Sequence, residues 1–248
     1  IIEANTSSGV NIIQLWGGQR HKELGDFYRY HGVIKKLTGR LCAGAKEKTM
    51  KYIIMADGKG TRWQNYNDIP KHLIEIGGET LLGRTVRLLR ENDSKSEVII
   101  TSHDARYEIE GAVRYEPKNN NLEIDRFTEE LIADDVCFLY GDTYYSEEAA
   151  RTITETEAED ILFFGNTKAI VAIKVADGGL FKQHVDRVRQ LYLDGKIEKC
   201  IGWQVYQSFL GLPFGEKKID AKYVLMKDGT EDFNSPEDYN RRKSKEWD

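Results

Sequence analysis

The stretch KYIIMADGKGTR, residues 51–62, decides how the rest of the chain is read. Lys51 to Ala56 is a short apolar run of strand type, and it passes directly into Asp57-Gly58-Lys59-Gly60-Thr61-Arg62. Two glycines let the backbone fold tightly and turn its N–H groups inward, which makes a nest for anionic oxygens. Lys59 and Arg62 add fixed positive charge, and Arg62 can grip a phosphate through two parallel hydrogen bonds. The GxxxxGK[ST] spacing of a Walker A loop is missing, so the loop is of another kind.

Downstream, apolar runs of strand type alternate with stretches of helical spacing. Leu73 to Ile76 precedes a Gly77-Gly78 turn. Thr80 caps an expected helix striped by Leu81, Leu82, Val86, Leu88 and Leu89. Strands are expected over 97–101, 136–140, 161–164, 169–175 and 223–226. Helices are expected over 124–132, from Ser146, over 179–192 and over 203–209. Ser235-Pro236-Glu237-Asp238 has the form of a capping box with proline at the first helical position. Such alternation implies a three-layer α/β domain around a mostly parallel sheet, with ligands beyond the carboxyl ends of the strands.

Composition narrows the function classes. Over 248 residues, 40% are apolar and 31% charged, and the net charge of −5 argues against a nucleic-acid partner bound by bulk electrostatics. Cys42, Cys137 and Cys200 are far apart and form no CxxC pair, so neither a zinc site nor a disulfide scaffold is expected. No apolar stretch approaches the ~18 residues of a membrane span, so no membrane partner is expected and the cytoplasm is the default compartment.

Three ordered pieces carry a family resemblance. MADGKGTR at 55–62, IPKHL at 69–73 and GGETLLGR at 77–84 resemble the sugar-phosphate nucleotidyltransferases, whose pattern is LAAGxGTR, a spacer, PKxL, then a glycine turn and a leucine-rich helix. The resemblance covers roughly residues 51 to 244 and implies a Rossmann-like nucleotidyltransferase domain. It implies that residues 56–62, from Ala56 through Asp57, Gly58, Lys59, Gly60, Thr61 and Arg62, bind the nucleotide. Gly58, Gly60 and Thr61 would cradle a triphosphate while Arg62 holds the departing β,γ-phosphates. Lys71 would lie against the α-phosphate or an acceptor phosphate. Asp57 departs from the pattern, which has alanine or glycine there. A carboxylate beside a triphosphate is unfavourable unless it faces the base, a ribose hydroxyl or a metal, so Asp57 is expected to bear on nucleotide preference.

Phosphoryl-type transfer needs charge neutralisation, so Mg²⁺ held by carboxylates is the expected cofactor. Asp142 closes the strand VCFLY at 136–140, which delivers a carboxylate to the carboxyl edge of the sheet. In the family the equivalent aspartate is a metal ligand. EDFNSPED at 231–238 resembles the family's closing D-[IV]-[DN]-[ST]-P-x-D motif, which implies Asp232 as the second ligand with Asn234 near it. Asp238 fits the capping position instead. The acceptor pocket is read by position alone: Tyr144, Lys168, Lys174 and Asn234 lead, with Glu116, Asn119, Asn120, Asn121, Tyr145, Trp203 and Gln204 behind them. Arg62 and Lys71, both placed in or beside loops, are expected to matter far more for turnover than for stability.

The function these residues imply is transfer of a nucleoside monophosphate from CTP or UTP to a sugar-, alditol- or choline-type phosphate, with pyrophosphate released. Two alternatives stand beside it. A molybdenum-cofactor guanylyltransferase would carry GGxSxRMG, which Thr61-Arg62-Trp63 does not match. A catalytically inactive nucleotide-binding regulator would not be expected to retain Arg62, Lys71, Asp142 and Asp232.

The first fifty residues read differently. IIEANTSSG at 1–9 resembles the last metal-binding strand of ATP-grasp ligases, E-x-N-[TP]-x-x-G. Residues 1–48 are therefore expected to be an extension, the remnant of such a domain in a longer chain, with a helix over 21–36 and a linker over 38–49. The nucleotidyltransferase domain is expected over 50–248, with Met50 as a plausible natural start.

Overall fold

The computed structural model describes the backbone of residues 2–7 and 10–15, and residues 49–63, 66–216 and 218–243 in full. The chain divides into two compact units, Ile1–Lys48 and Thr49–Asp248. In the first, strand β1 (Ile2–Ser7) pairs antiparallel with β2 (Val10–Leu15), Ile2 opposite Leu15 and Ser7 opposite Val10. The helix expected over 21–36, and the linker over 38–49 but for Thr49, lie outside the described residues.

The second unit is built on seven strands. β3 (Lys51–Met55) lies between β6 (Glu97–Thr101) and β8 (Val136–Tyr140), parallel to both. β7 (Val113–Tyr115) extends the sheet parallel to β6. On the other side β11 (Ile170–Val175) runs antiparallel to β8 and to β10 (Ile161–Gly165), and β12 (Tyr223–Leu225) lies parallel to β10 at the edge. Strands buried on both faces read as unbroken apolar runs, which is why YIIM, VII and VCFL lack a polar alternation.

Successive side chains of a strand point to opposite faces, so each central run feeds two cores. Tyr52, Ile54, Val98, Ile100, Cys137 and Leu139 pack with Leu82, Val86 and Leu89 of helix α1 (Leu81–Asn92) and with Ala149 and Ile153 of α2 (Glu147–Glu155). Ile53, Met55, Phe138, Phe163 and Ile173 pack with Phe181, Val185 and Val188 of α3 (Gly178–Leu193) and with Val205 and Tyr206 of α4 (Gly202–Leu210). The result is the three-layer arrangement of an α/β domain with a mostly parallel sheet.

The helix starts follow their capping residues. Thr80 accepts from the Gly83 N–H at 3.0 Å and Ser146 from the Ala149 N–H at 3.0 Å. One expected element differs. Residues 124–132 form two short 3₁₀ turns, Glu123–Phe127 and Glu129–Leu131, instead of a helix. Thr128, with φ 45°, breaks the run, while Ile124 and Phe127 still bury their side chains. The helical stripe was real, but it belongs to turns.

A third, smaller core lies beside the sheet. The strands β4 (Glu75–Ile76) and β5 (Glu79–Thr80) form a hairpin through Gly77 and Gly78, whose φ of 62° and 87° suit the two-residue turn that joins twisted strands. Ile74, Ile76 and Leu81 pack there with Trp63, Tyr144, Phe233 and Tyr239. This cluster brings the C-terminal segment, including β13 (Glu231–Asp232) and α5 (Pro236–Lys243), back to the loop after β3.

Candidate active site

The loop after β3 is held at both ends. Ala56 donates to the Thr101 carbonyl at 3.1 Å and continues the ladder, while the Trp63 N–H returns to the Gly60 carbonyl at 2.9 Å. Gly60 has φ 57°, a conformation costly for most other residues. Trp63 is buried and its indole N–H donates to the Ile69 carbonyl at 2.8 Å, which anchors the loop in the small core. Arg62, the next residue back, stays exposed and reaches Asn234 Oδ1 at 2.6 Å.

Lys71 follows Pro70 in a 3₁₀ turn, Lys71–Leu73, and is buried. Its Nζ forms an ion pair with Asp142. Burial alone would push the Asp142 carboxyl up, but the Lys71 ammonium beside it outweighs that and holds it below the usual carboxylate range. The neighbouring imidazole of His72 is buried and shares a 2.8 Å hydrogen bond with the Tyr107 hydroxyl. Burial pushes its pKa down to about 3, so it is neutral at physiological pH. Glycine precedes Asp142 for a steric reason: a Cβ at Gly141 would sit 2.9 Å from the Met55 carbonyl oxygen and 3.2 Å from His72.

Asp232 reaches the same corner through backbone pairing. β9 (Thr143–Tyr144) pairs antiparallel with β13, Thr143 opposite Asp232, and the Phe233 N–H donates to the Asp142 carbonyl at 2.8 Å. Asp232, on β13, thus stands beside Asp142, in the turn that leads into β9, although the two are far apart in sequence. Asn234 donates from Nδ2 to Asp232 Oδ2 while accepting from Arg62. Each cation is therefore tied to one carboxylate: Lys71 directly to Asp142, and Arg62 through Asn234 to Asp232. Among the described residues no group of three or more His, Cys, Asp or Glu is placed to hold a metal ion.

These groups line one cavity of about 570 Å³ at the carboxyl ends of the strands. Of the residues expected from sequence, Gly60, Thr61, Arg62, Lys71, Asp142, Asp232, Asn234 and Lys168 line it, as do Asn121 and Trp203. Ala56, Asp57, Gly58 and Lys59 lie behind or beside it and are not among its walls. Two acceptor candidates lie apart from these walls. Lys174 is buried in β11 and donates to the Thr154 and Thr156 carbonyls at 3.1 and 2.7 Å, satisfying the carboxyl end of α2. Tyr144 is buried between the guanidinium groups of Arg84 and Arg242, whose carbons lie 4.8 and 4.7 Å from its ring centre. Neither faces the cavity.

Other wall residues carried no sequence signal. Arg126 extends from the 3₁₀ turn that replaces the expected helix, and lies 3.3 Å from where a Cβ on Gly58 would be. Tyr140, Tyr192, Glu198 and Lys199 complete the far side with Ile201 and Gly202, where α4 begins. A Cβ at Gly202 would meet the Tyr140 hydroxyl at 2.5 Å, so a larger residue there would have to push that ring aside.

No family model matches the chain. The bifunctional protein GlmU of Neisseria meningitidis is 39% identical over 57 residues, 23% of this chain. A Bacillus subtilis protein named "Probable glucose-1-phosphate cytidylyltransferase" is 32% identical over 83 residues, 33% of this chain. The matches span 12% and 33% of those two proteins' lengths. Among solved structures, a Bacillus anthracis protein described as a glucose-1-phosphate thymidylyltransferase matches 78% of this chain and 93% of its own, with a TM-score of 0.51 at 16% identity.

The chain shares that protein's fold. In open α/β sheets the ligand site lies beyond the carboxyl ends of the strands, which is where the cavity opens.

Proposed function

We propose that the chain is a nucleotidyltransferase that moves a nucleoside monophosphate from CTP or UTP to a sugar-, alditol- or choline-type phosphate and releases pyrophosphate. The observation that carries the reading is the convergence of Arg62, Lys71, Asp142 and Asp232 on one cavity beside a glycine loop. The name of the Bacillus subtilis relative, "Probable glucose-1-phosphate cytidylyltransferase", supports it.

In this reading the backbone of Gly58, Gly60 and Thr61 cradles the triphosphate and Arg62 holds the β- and γ-phosphates. Lys71 meets the α-phosphate or the acceptor phosphate. Asp142 and Asp232 suit a hard divalent cation, because they offer oxygen donors from two adjoining segments, and Mg²⁺ takes few protein carboxylates while keeping water and phosphate oxygens. When bound there, Mg²⁺ would neutralise charge on the phosphates. The protein's own work is alignment and fixed positive charge, because an acceptor phosphate is already ionised at neutral pH and needs no general base. Lys168 and Asn234 are the acceptor-side contacts in this proposal; Lys174 and Tyr144 are not.

Among the described residues no helix is long and apolar enough to cross a membrane. We assign the reaction to the cytoplasm, as a step toward surface polysaccharide. The link to an ATP-grasp ligase is carried by the resemblance of residues 1–9 alone. The test is pyrophosphate release across the four NTPs with a panel of sugar, alditol and choline phosphates. Release that requires both a pyrimidine NTP and one such acceptor is expected; no release with any pair overturns the reading.

A further inference from the structure

Asp57 stands between β3 and the phosphate loop, yet no step of the proposed reaction uses it. Its side chain is 12% exposed and turned away from the cavity. Oδ1 accepts from the His103 backbone N–H at 3.0 Å. Oδ2 lies 2.8 Å from His103 Nδ1 and accepts from Asn120 Nδ2 at 2.7 Å. An ionised carboxylate only accepts, so Nδ1 carries the proton in that contact. The same Asn120 amide is 2.7 Å from the Asp57 carbonyl oxygen. Residue 57 thereby binds two loops at once.

Those loops need binding. His103 follows β6 and Asn120 follows β7, so both leave the carboxyl edge of the sheet beside the phosphate loop. The last backbone ties between these strands are Ala56 to Thr101 and Ser102 to Tyr115, at 3.1 and 2.9 Å. Beyond them the Asp57 carboxylate joins the first loop to the other two. Just past Asn120, Asn121 and Leu122 form part of the cavity wall. Their N–H groups donate to Asp125 Oδ2 at 2.9 and 2.7 Å, and the other Asp125 oxygen pairs with Arg189 of α3. A hydrogen-bonded path therefore runs from α3 through Asp125, residues 120–122 and Asn120 to Asp57.

We propose that Asp57 is a positioning residue: its carboxylate clamps His103 and the 119–122 loop against the root of the phosphate loop, and so sets one wall of the cavity before a nucleotide arrives. Its charge is answered by three protein donors, which leaves it no role in reading the base or the ribose. Preorganised walls favour binding because less chain must be ordered when the ligand enters.

The inference rests on the nucleotidyltransferase reading only for the identity of the ligand. Asp57→Ala and Asn120→Ala, singly and combined, are compared with wild type by steady-state kinetics with CTP and UTP and by backbone amide exchange. Loss of a charged hydrogen-bond acceptor should raise the nucleotide KM about tenfold, equally for CTP and UTP, with kcat within about threefold. The double variant should lose less than the sum of the two single losses, as expected for two partners in one interaction. Amides of residues 103 and 119–122 should exchange faster while those of β3 do not. A changed ratio of CTP to UTP use, additive losses or unaltered exchange overturns the clamp. If Asp57→Ala fails to fold, Asn120→Ala, which removes one donor and leaves the carboxylate, decides on the same readouts. A wild-type protein that releases no pyrophosphate overturns the functional reading, and the exchange measurement still decides on the clamp.

Discussion

Arg62 and Lys71 look alike in the sequence, two cations near a glycine loop, but the structure separates them. Arg62 is exposed, so Arg62→Ala should cost less than about 0.5 kcal/mol of stability. Lys71 is buried against Asp142, and Lys71→Ala strands a buried carboxylate, which should cost about 3 kcal/mol. We therefore expect a small effect on stability for Arg62 alone, where the sequence suggested it for both. Both variants should lose on the order of 100-fold in turnover, by analogy with the loss of one preorganised donor to developing charge. Pyrophosphate-release kinetics and denaturant melts of the two variants check this together. His72 supplies a pH test. Its folded pKa of about 3 lies below its unfolded value of about 6.5, so the unfolded chain binds the extra proton between those values. Stability from this group is complete above about pH 6.5 and falls as pH drops below it, by about 2 kcal/mol on reaching pH 5. Urea melts at pH 7 and pH 5 should show the loss, and His72→Gln should lack that part of it.

At the scale of elements, two caps that read alike in sequence should behave differently. Thr80 caps α1 and is not among the cavity's walls, and Thr80→Ala should lower stability by about 1 kcal/mol and leave turnover unchanged. Asp238 accepts from the Asn234 and Ser235 N–H groups at 3.1 and 3.0 Å, at the start of α5. Asp238→Ala should cost about 1–2 kcal/mol and lower turnover too, because Asn234 is the link between Arg62 and Asp232. Thermal melts with parallel activity measurements separate the two cases. Element positions were legible where a cap met an apolar stripe, as at Leu81 and Glu147. They were not legible at 123–131, where a left-handed Thr128 divides the run and where Arg126, part of the cavity wall, is displayed.

For the whole molecule, the tie between each cation and one carboxylate means that, in the proposed reaction, metal and nucleotide would compete with internal partners. Either alone must displace Lys71 or Asn234, whereas together each supplies the charge the other removes. We expect Mg²⁺ or CTP alone to shift the melting temperature little. Both together, near saturation at about 100 times Kd, should stabilise by about 2.7 kcal/mol. For a unit of this size that is roughly 5–10 °C, read by calorimetry. Equal shifts with Mg²⁺ present or absent would show that the carboxylates take no part.

What the sequence determined by itself was local. Unbroken apolar runs of strand length between capped, periodic stretches lead to a parallel sheet with two covered faces. Glycines beside Arg62 and a proline before Lys71 point to a candidate phosphate loop, because backbone freedom and fixed charge are properties of the residues themselves. What only the tertiary structure decided were contacts between residues remote in the chain. Asp232 stands beside Asp142 because β13 returns to β9. Lys174, outwardly a phosphate lysine, caps α2, and Tyr144 fills the gap between two arginines. Asp57 turns from the cavity toward His103 and Asn120. No spacing encodes such pairings, since they follow from the order in which crossovers lay the strands side by side and from which polar groups are then left needing partners.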